Sequence, residues 1–243
     1  MSLTRSTGIA LRVIATMRRD RRTLVLLIVA PLVIMSLVGM SFQEMPLVLD
    51  FAAPSILAIF AFLFSFILTG VSFLRERLGG TLERLLATPM GRTDLLVGYV
   101  LGFLGFALVQ ATIVLLYAVY VLDVAFQSTF VEVFTFLAVL TVTGVSLGIF
   151  ASVFTRNEFQ VIQLIPVFFT PQIFLSGVFL PVDGMPEYLQ VVSRAMPLRY
   201  AVEGLRKMML SGSGLTDVTL ELAVLVTVAV LALGLAGTTV RRA

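Results

Sequence analysis

Cysteine and histidine are absent from the 243 residues, and lysine occurs once, at Lys207. Without cysteine there is no disulfide framework, thiolate nucleophile or cysteine zinc site. Without histidine the side chain most used for proton relays and metal ligation is missing, which counts against most enzyme classes. Charge is also scarce: 13% of the residues are charged and 59% are hydrophobic, against roughly 45–50% apolar in a soluble domain. A soluble chain must cover its whole surface with polar groups, whereas one whose outer surface meets lipid need not. The composition therefore describes one membrane domain.

A membrane span takes about 20 apolar residues, and six stretches qualify: Thr23 to about Phe42, Phe51 to Leu74, Leu95 to Leu122, Phe130 to Phe154, Phe159 to Leu180 and Leu220 to Val240. The first is too long for the apolar core of a signal peptide and lacks a small-x-small cleavage site, so it is expected to be retained. The expected fold is an all-α membrane protein with six transmembrane helices and both termini on one side. Thirteen of the seventeen basic residues fall on that side, and the first two opposite loops, about Gln43 to Asp50 and Asp123 to Thr129, carry acids and no base. The positive-inside rule then makes both termini cytoplasmic. Arg194, Arg199, Arg206 and Lys207 run against the count, in a segment of nearly forty residues that has its own structure.

Three segments are not spans. Residues 1–22 precede the six-span transmembrane domain, 23–243, and place Ile9, Val13, Ile14 and Met17 on one helical face and Arg5, Arg12, Thr16 and Arg19 on the other. That period predicts an interfacial helix whose apolar side chains sink among acyl chains and whose arginines meet lipid phosphates. At about 79–90, Gly79-Gly80 punctuate the chain and Thr81 can cap a short helix. Its stripe of Leu82, Leu85 and Leu86 lies beside Glu83 and Arg84, and Pro89 stops it. Two turns are marginal alone, so something is expected to pack on them. At about 181–211, Pro181, Pro186 and Pro197 precede Leu198, Ala201, Val202, Leu205, Met208 and Met209 at helical spacing, with Arg199, Glu203, Arg206 and Lys207 opposite. Two short external re-entrant helices are expected there.

The run RERLGGTLERLLATPMGRTDLLVGYVLG resembles the cytoplasmic loop of type-2 ATP-binding-cassette (ABC) exporter permeases. SGVFLPVDGMPEYLQVVSRAMPLRYAVEGLR is similar to their signature after the fifth span, with proline, methionine-proline, proline-leucine and glycine-leucine-arginine in order. The resemblance implies that residues 79–90 form the coupling helix, with Gly80, Thr81, Glu83, Arg84, Leu85, Leu86, Thr88 and Pro89 as its contacts to an ATPase subunit. It also implies a pair of such ATPase subunits and a second permease copy or related permease, in the plasma membrane of a prokaryote. No G-x-x-x-x-G-K-[ST] phosphate loop occurs, so ATP and Mg2+ are expected in the partner and no cofactor in this chain. No nucleic acid is expected as a partner.

The polar residues of the fifth span, Gln160, Gln163 and Gln172, with Phe168 and Phe174, are the candidates for the translocation path. An uncompensated amide in hydrocarbon costs kcal/mol, although an ordinary inter-helix hydrogen bond accounts for any one of them equally well. Gly98 and Gly102, and Gly144 and Gly148, recur at four residues and suit close helix packing. Glu221, Asp50 and Glu44 lie at span ends and read as interfacial anchors. No charge falls at a midplane, which counts against an ion-driven carrier. An intramembrane protease lacks its histidine or its aspartate pair. The expected function is export of an amphipathic small molecule, drug or lipid from the cytoplasm or inner leaflet, with a non-transporting anchor or sensor as the alternative.

Overall fold

The computed structural model describes residues 3–81, 85, 91–179 and 181–239. The described helices are α1 (Leu3–Arg19), α2 (Arg21–Ser41), α3 (Pro46–Leu78), α4 (Arg92–Tyr120), α5 (Phe130–Phe154), α6 (Glu158–Leu175), α7 (Glu187–Ser193), α8 (Pro197–Ser211) and α9 (Thr219–Thr239), with a 3-10 turn at Val182–Gly184. Six of them, α2 to α6 and α9, are long and apolar enough to cross a membrane. The chain is an all-α bundle of six spans.

Two glycine pairs set the centre of the bundle. A Cβ on Gly144 would lie 2.7 Å from the Phe62 carbonyl oxygen, and one on Gly148 would lie 2.6 Å from that of Phe66. The backbones of α3 and α5 therefore touch where any side chain would separate them, as small residues permit between membrane helices. Gly98 and Gly102 do the same for α4: their Cβ atoms would meet Ile9 at 2.6 Å and Val13 at 2.7 Å. Phe62, Phe66 and Phe169 fill the space beside the first pair, with ring centroids 5.3 Å apart for Phe66–Phe169.

The second pair corrects the expectation for α1. Ile9, Val13 and Met17 are buried against Leu95, Tyr99 and Phe103 of α4, so these side chains pack in the protein core and only Ile14 of the predicted face stays partly exposed. The physical reason is the glycine trough of α4, which is deep enough to seat a helix.

The fifth span also ends sooner than its composition suggested. α6 stops at Leu175, five residues before Leu180, because Gly177 turns the chain at φ +80° and Pro181 follows. The segment beyond folds back on the bundle. The predicted stripe of α8, Leu198, Ala201, Val202, Leu205, Met208 and Met209, is buried in the main core with α3, α5 and α9. Gly212, at φ +67°, closes α8 by donating to the Lys207 carbonyl.

Candidate functional site at the root of the loop after α3

α3 carries Arg75, Glu76 and Arg77 in its last turn, and its C-terminus is the electrostatically favourable end for the two cations. Successive helical residues point about 100° apart, so three consecutive charges reach three directions. Arg75 donates to both carboxylate oxygens of Glu158, at 2.7 and 2.9 Å, in the bidentate arrangement suited to guanidinium, and to Asp20 at 3.3 Å. Glu76 accepts from Arg12 at 2.7 Å and from the Tyr99 hydroxyl at 3.1 Å. The same Arg12 nitrogen lies 2.7 Å from the Tyr99 oxygen. Arg77 donates to the carbonyls of Val153, at 2.7 Å, and Thr155. One helical turn is thereby tied to α1, the α1–α2 junction, α4, the end of α5 and the start of α6.

Asp20 is the N-cap of α2, accepting from the Thr23 amide at 3.2 Å and its hydroxyl at 2.7 Å. Those bonds from Thr23, with Arg75 adding to them, hold its carboxyl below the ordinary range. A cleft of about 240 Å³ opens between these elements, lined by Asp20, Ser72, Arg75, Glu76 and Thr81 among others. Gly79 and Gly80 follow the charged turn, Gly80 at φ +68°, a conformation glycine adopts without strain. Thr81 is half-buried beside the cleft, and Leu85 packs on the cluster of Ile9, Met17, Leu95 and Tyr99. Glu83, Arg84, Leu86, Thr88 and Pro89 lie outside the described residues. Among the described residues no group of three or more carboxylates is placed to hold a metal ion.

The fifth-span candidates separate. Gln160 is local: its backbone N–H donates to the Asn157 side-chain oxygen at 2.9 Å, and its own side-chain oxygen accepts from the Arg156 backbone N–H at 2.7 Å. Gln172 is buried, donating to the Phe168 carbonyl and accepting from the Leu198 amide, each at 3.3 Å. It thus satisfies an amide in the first turn of α8, where no intrahelical acceptor exists. Phe168 stacks on Phe66 with centroids 5.7 Å apart. Gln163 and Phe174 are exposed on the outer face of α6 with Ile162, Pro166, Val167 and Pro171. Gln110 of α4 is buried, and its side chain has no hydrogen-bond partner among the described residues.

On the opposite face, three of the four anomalous cations are bound within the fold. Arg206 donates to the carbonyls of Phe51, Gly177 and Val178 at 3.2, 2.8 and 3.3 Å and lies 3.7 Å from the Phe51 ring centroid. Burial pulls its pKa down to about 10, which leaves it charged at neutral pH. Lys207 pairs with Glu221 at 2.7 Å and Glu203 at 3.1 Å, and the bond to Glu221 raises it above its ordinary value. Arg199 donates to the Ser193 hydroxyl at 2.8 Å. Glu221 is 2% exposed, so it is a buried ion-pair partner and not the solvated anchor its place at a span end suggested. Asp50 accepts from the Ala125 amide at 2.8 Å.

None of the long-range pairs Arg12–Glu76, Arg75–Glu158 and Lys207–Glu221 was picked out by sequence reasoning. The one available signal was the arginine-glutamate pair opening the loop motif.

This geometry, six spans with one charged turn joining the ends of several of them on one face, defines a multi-pass α-helical membrane protein. Residues 8–210 match the family described as ABC-2 type transporter, and the chain belongs to that family. It is 32% identical over 167 residues to ABC transporter G family member 20 of Dictyostelium discoideum, covering 69% of this chain and 23% of that protein. It is 28% identical over 186 residues to the probable multidrug ABC transporter permease YbhS of Escherichia coli (strain K12), covering 76% and 49%. Linearmycin resistance permease protein LnrN of Bacillus subtilis (strain 168) is 29% identical over 148 residues, covering 60% and 38%. The chain thus spans less than half the length of these relatives.

Proposed function

We propose that this chain is the permease subunit of an ATP-driven exporter, acting as a pair with a second copy or a related permease above two separate ATPase subunits. Both termini then face the cytoplasm. Residues 79–90 form the coupling helix, in which Gly80, Thr81, Glu83, Arg84, Leu85, Leu86, Thr88 and Pro89 meet the ATPase. The observation that carries the reading is the last turn of α3, whose three charges join the loop's root to α1, α4, α5 and α6. A push on the loop is delivered through that turn to several spans at once.

The names of the Escherichia coli and Bacillus subtilis relatives, one multidrug and one linearmycin resistance, support an amphipathic or apolar cargo moved outward. The outer face of α6 is the proposed path, with Gln163 and Phe174 presented to it. Phe168 supports that face from behind, while Gln160 and Gln172 fix the two ends of the helix. Three of the four cations on that face, Arg199, Arg206 and Lys207, support the orientation, since their partners are part of the fold and they are not free topogenic charges.

The test is ATPase activity of the chain co-expressed with candidate nucleotide-binding subunits, wild type against Glu83→Ala/Arg84→Ala. Co-purification of a partner whose activity responds to the permease, and loss of that response in the double variant, is the expected result. A loop that is indifferent to the change, or no partner at all, moves the non-transporting anchor or sensor ahead.

A further inference from the structure

At the end that carries α8, the start of α3, the end of α6, the 3-10 turn and α8 enclose a cleft of about 330 Å³. Phe51, Val202 and Leu210 supply its apolar lining, and five charged residues also line it: Asp183, Arg199, Glu203, Arg206 and Lys207.

These charges divide into a closed set and an open one. Lys207 and Glu203 pair with each other at 3.1 Å, and Lys207 also holds Glu221. Arg206 donates to three backbone carbonyls but forms no ion pair among the described residues, and its guanidinium keeps further N–H groups to give. Arg199 donates to the Ser193 hydroxyl, while its buried Nε has no hydrogen-bond partner and the Glu203 carboxylate stands 4.0 Å from it. Asp183 is exposed, and its side chain makes no hydrogen bond or ion pair among the described residues. Arg199 and Arg206 lie two helical turns apart, so both reach the same side of α8. Two guanidiniums and a carboxylate thus share one small space without neutralising one another, an arrangement that is costly at the edge of a low-dielectric bundle. An occupant bearing both signs resolves it.

We propose that the cleft binds the headgroup of one phospholipid with a primary ammonium, a phosphoethanolamine group, its phosphate on Arg199 and Arg206 and its ammonium on Asp183. Guanidinium groups suit phosphate as multidentate donors, and a primary ammonium donates hydrogen bonds to a carboxylate where a quaternary one has no N–H to give. The apolar lining, and the place of the cleft at the ends of two spans where headgroups of the adjoining leaflet lie, select a lipid over a free solute. The proposal rests on the membrane assignment and not on transport or on which side α8 faces, so it stands or falls independently of the ATPase test.

The experiment is native mass spectrometry of the full chain extracted from vesicles of equal phosphatidylethanolamine, phosphatidylcholine and phosphatidylglycerol, doped with diacylglycerol, all with the same acyl chains. Wild type should retain phosphatidylethanolamine about ten-fold over the other two phospholipids, the scale of one charge-assisted hydrogen bond. Asp183→Asn should bring phosphatidylethanolamine down to the level of phosphatidylcholine. Arg199→Gln should lower all three phospholipids several-fold and leave diacylglycerol, which has no phosphate, unchanged. Glu187→Gln and Arg194→Gln remove the same charges from exposed positions of the same segment outside the cleft, and both should behave as wild type, with thermal unfolding confirming that each variant is folded. No preference in wild type, an equal effect of a variant outside the cleft, or displacement of the lipid by soluble phosphoethanolamine would overturn the site.

Discussion

The two ends of the bundle solve the same problem, holding charged side chains at the edge of a membrane, in opposite ways. At the end that carries α8, Arg206 is fixed on three backbone carbonyls and a ring, and Lys207 reaches Glu221, which is 2% exposed. At the other end Arg75–Glu158 is wet, with side-chain exposures of 50% and 44%, and Arg12–Glu76 is partly buried at 34% and 14%, whereas Lys207, itself 42% exposed, reaches a carboxylate that is almost fully buried. Buried charge that loses its partner is expensive, whereas exposed pairs exchange partners at little cost. The end that carries α8 is thus built as a fixed plug, and the root of the loop after α3 as a joint that can rearrange.

That contrast is most strongly tested by Arg206→Leu. Three carbonyls lose a charged donor, each such bond contributing up to a few kcal/mol, and we expect about 3 kcal/mol of destabilisation in thermal unfolding of the detergent-solubilised chain. Lys207→Met comes next, at about 2–3 kcal/mol, because it strands the buried Glu221 carboxylate. Since pairing raises the Lys207 pKa from 10.5, this contribution is complete below that value and is lost as pH rises through the higher folded one. Lys207→Met should erase the alkaline loss.

Arg12→Gln or Glu76→Gln should cost less than about 1 kcal/mol, as partly exposed pairs do, yet should lower the permease-dependent response of the ATPase. Smallest is Asp20→Asn. Asparagine is an equally good N-cap, so stability at neutral pH should change by less than about 0.5 kcal/mol. The wild-type carboxylate is held below 3.8, so its contribution is present above that value and lost as pH falls through the folded one. The variant should lack this acid step in an unfolding titration.

Much of the scaffold was legible because the bilayer imposes it. Apolar length located the six spans, and the four-residue glycine spacing located the two closest helix contacts, since both signals are local. Leu175 was missed as the end of the fifth span because Phe179 and Leu180 are as apolar as the span itself; only the positive φ of Gly177 ends it. The apolar face of α1 was legible as a face, but its partner was not, because lipid and the Gly98–Gly102 trough favour the same residues. Tyr99 and Glu158 were invisible as site residues for a related reason: they meet Arg12 and Arg75 from 87 and 83 positions away, and no local period carries such a pairing. Gln172 was singled out as a candidate for the translocation path, and its bonds to the Phe168 carbonyl and the Leu198 amide show how a polar side chain is held in that apolar helix.

The most direct measurement compares two charge-neutral pairs of variants, Arg12→Gln/Glu76→Gln and Lys207→Met/Glu221→Gln, at matched amounts of folded protein. For each, thermal stability and stimulation of the partner ATPase are read together. The account predicts that the first pair loses stimulation while nearly keeping its melting temperature, and that the second keeps stimulation while its melting temperature shifts. Stimulation preserved in the first pair, or lost in the second, would contradict the division between joint and plug.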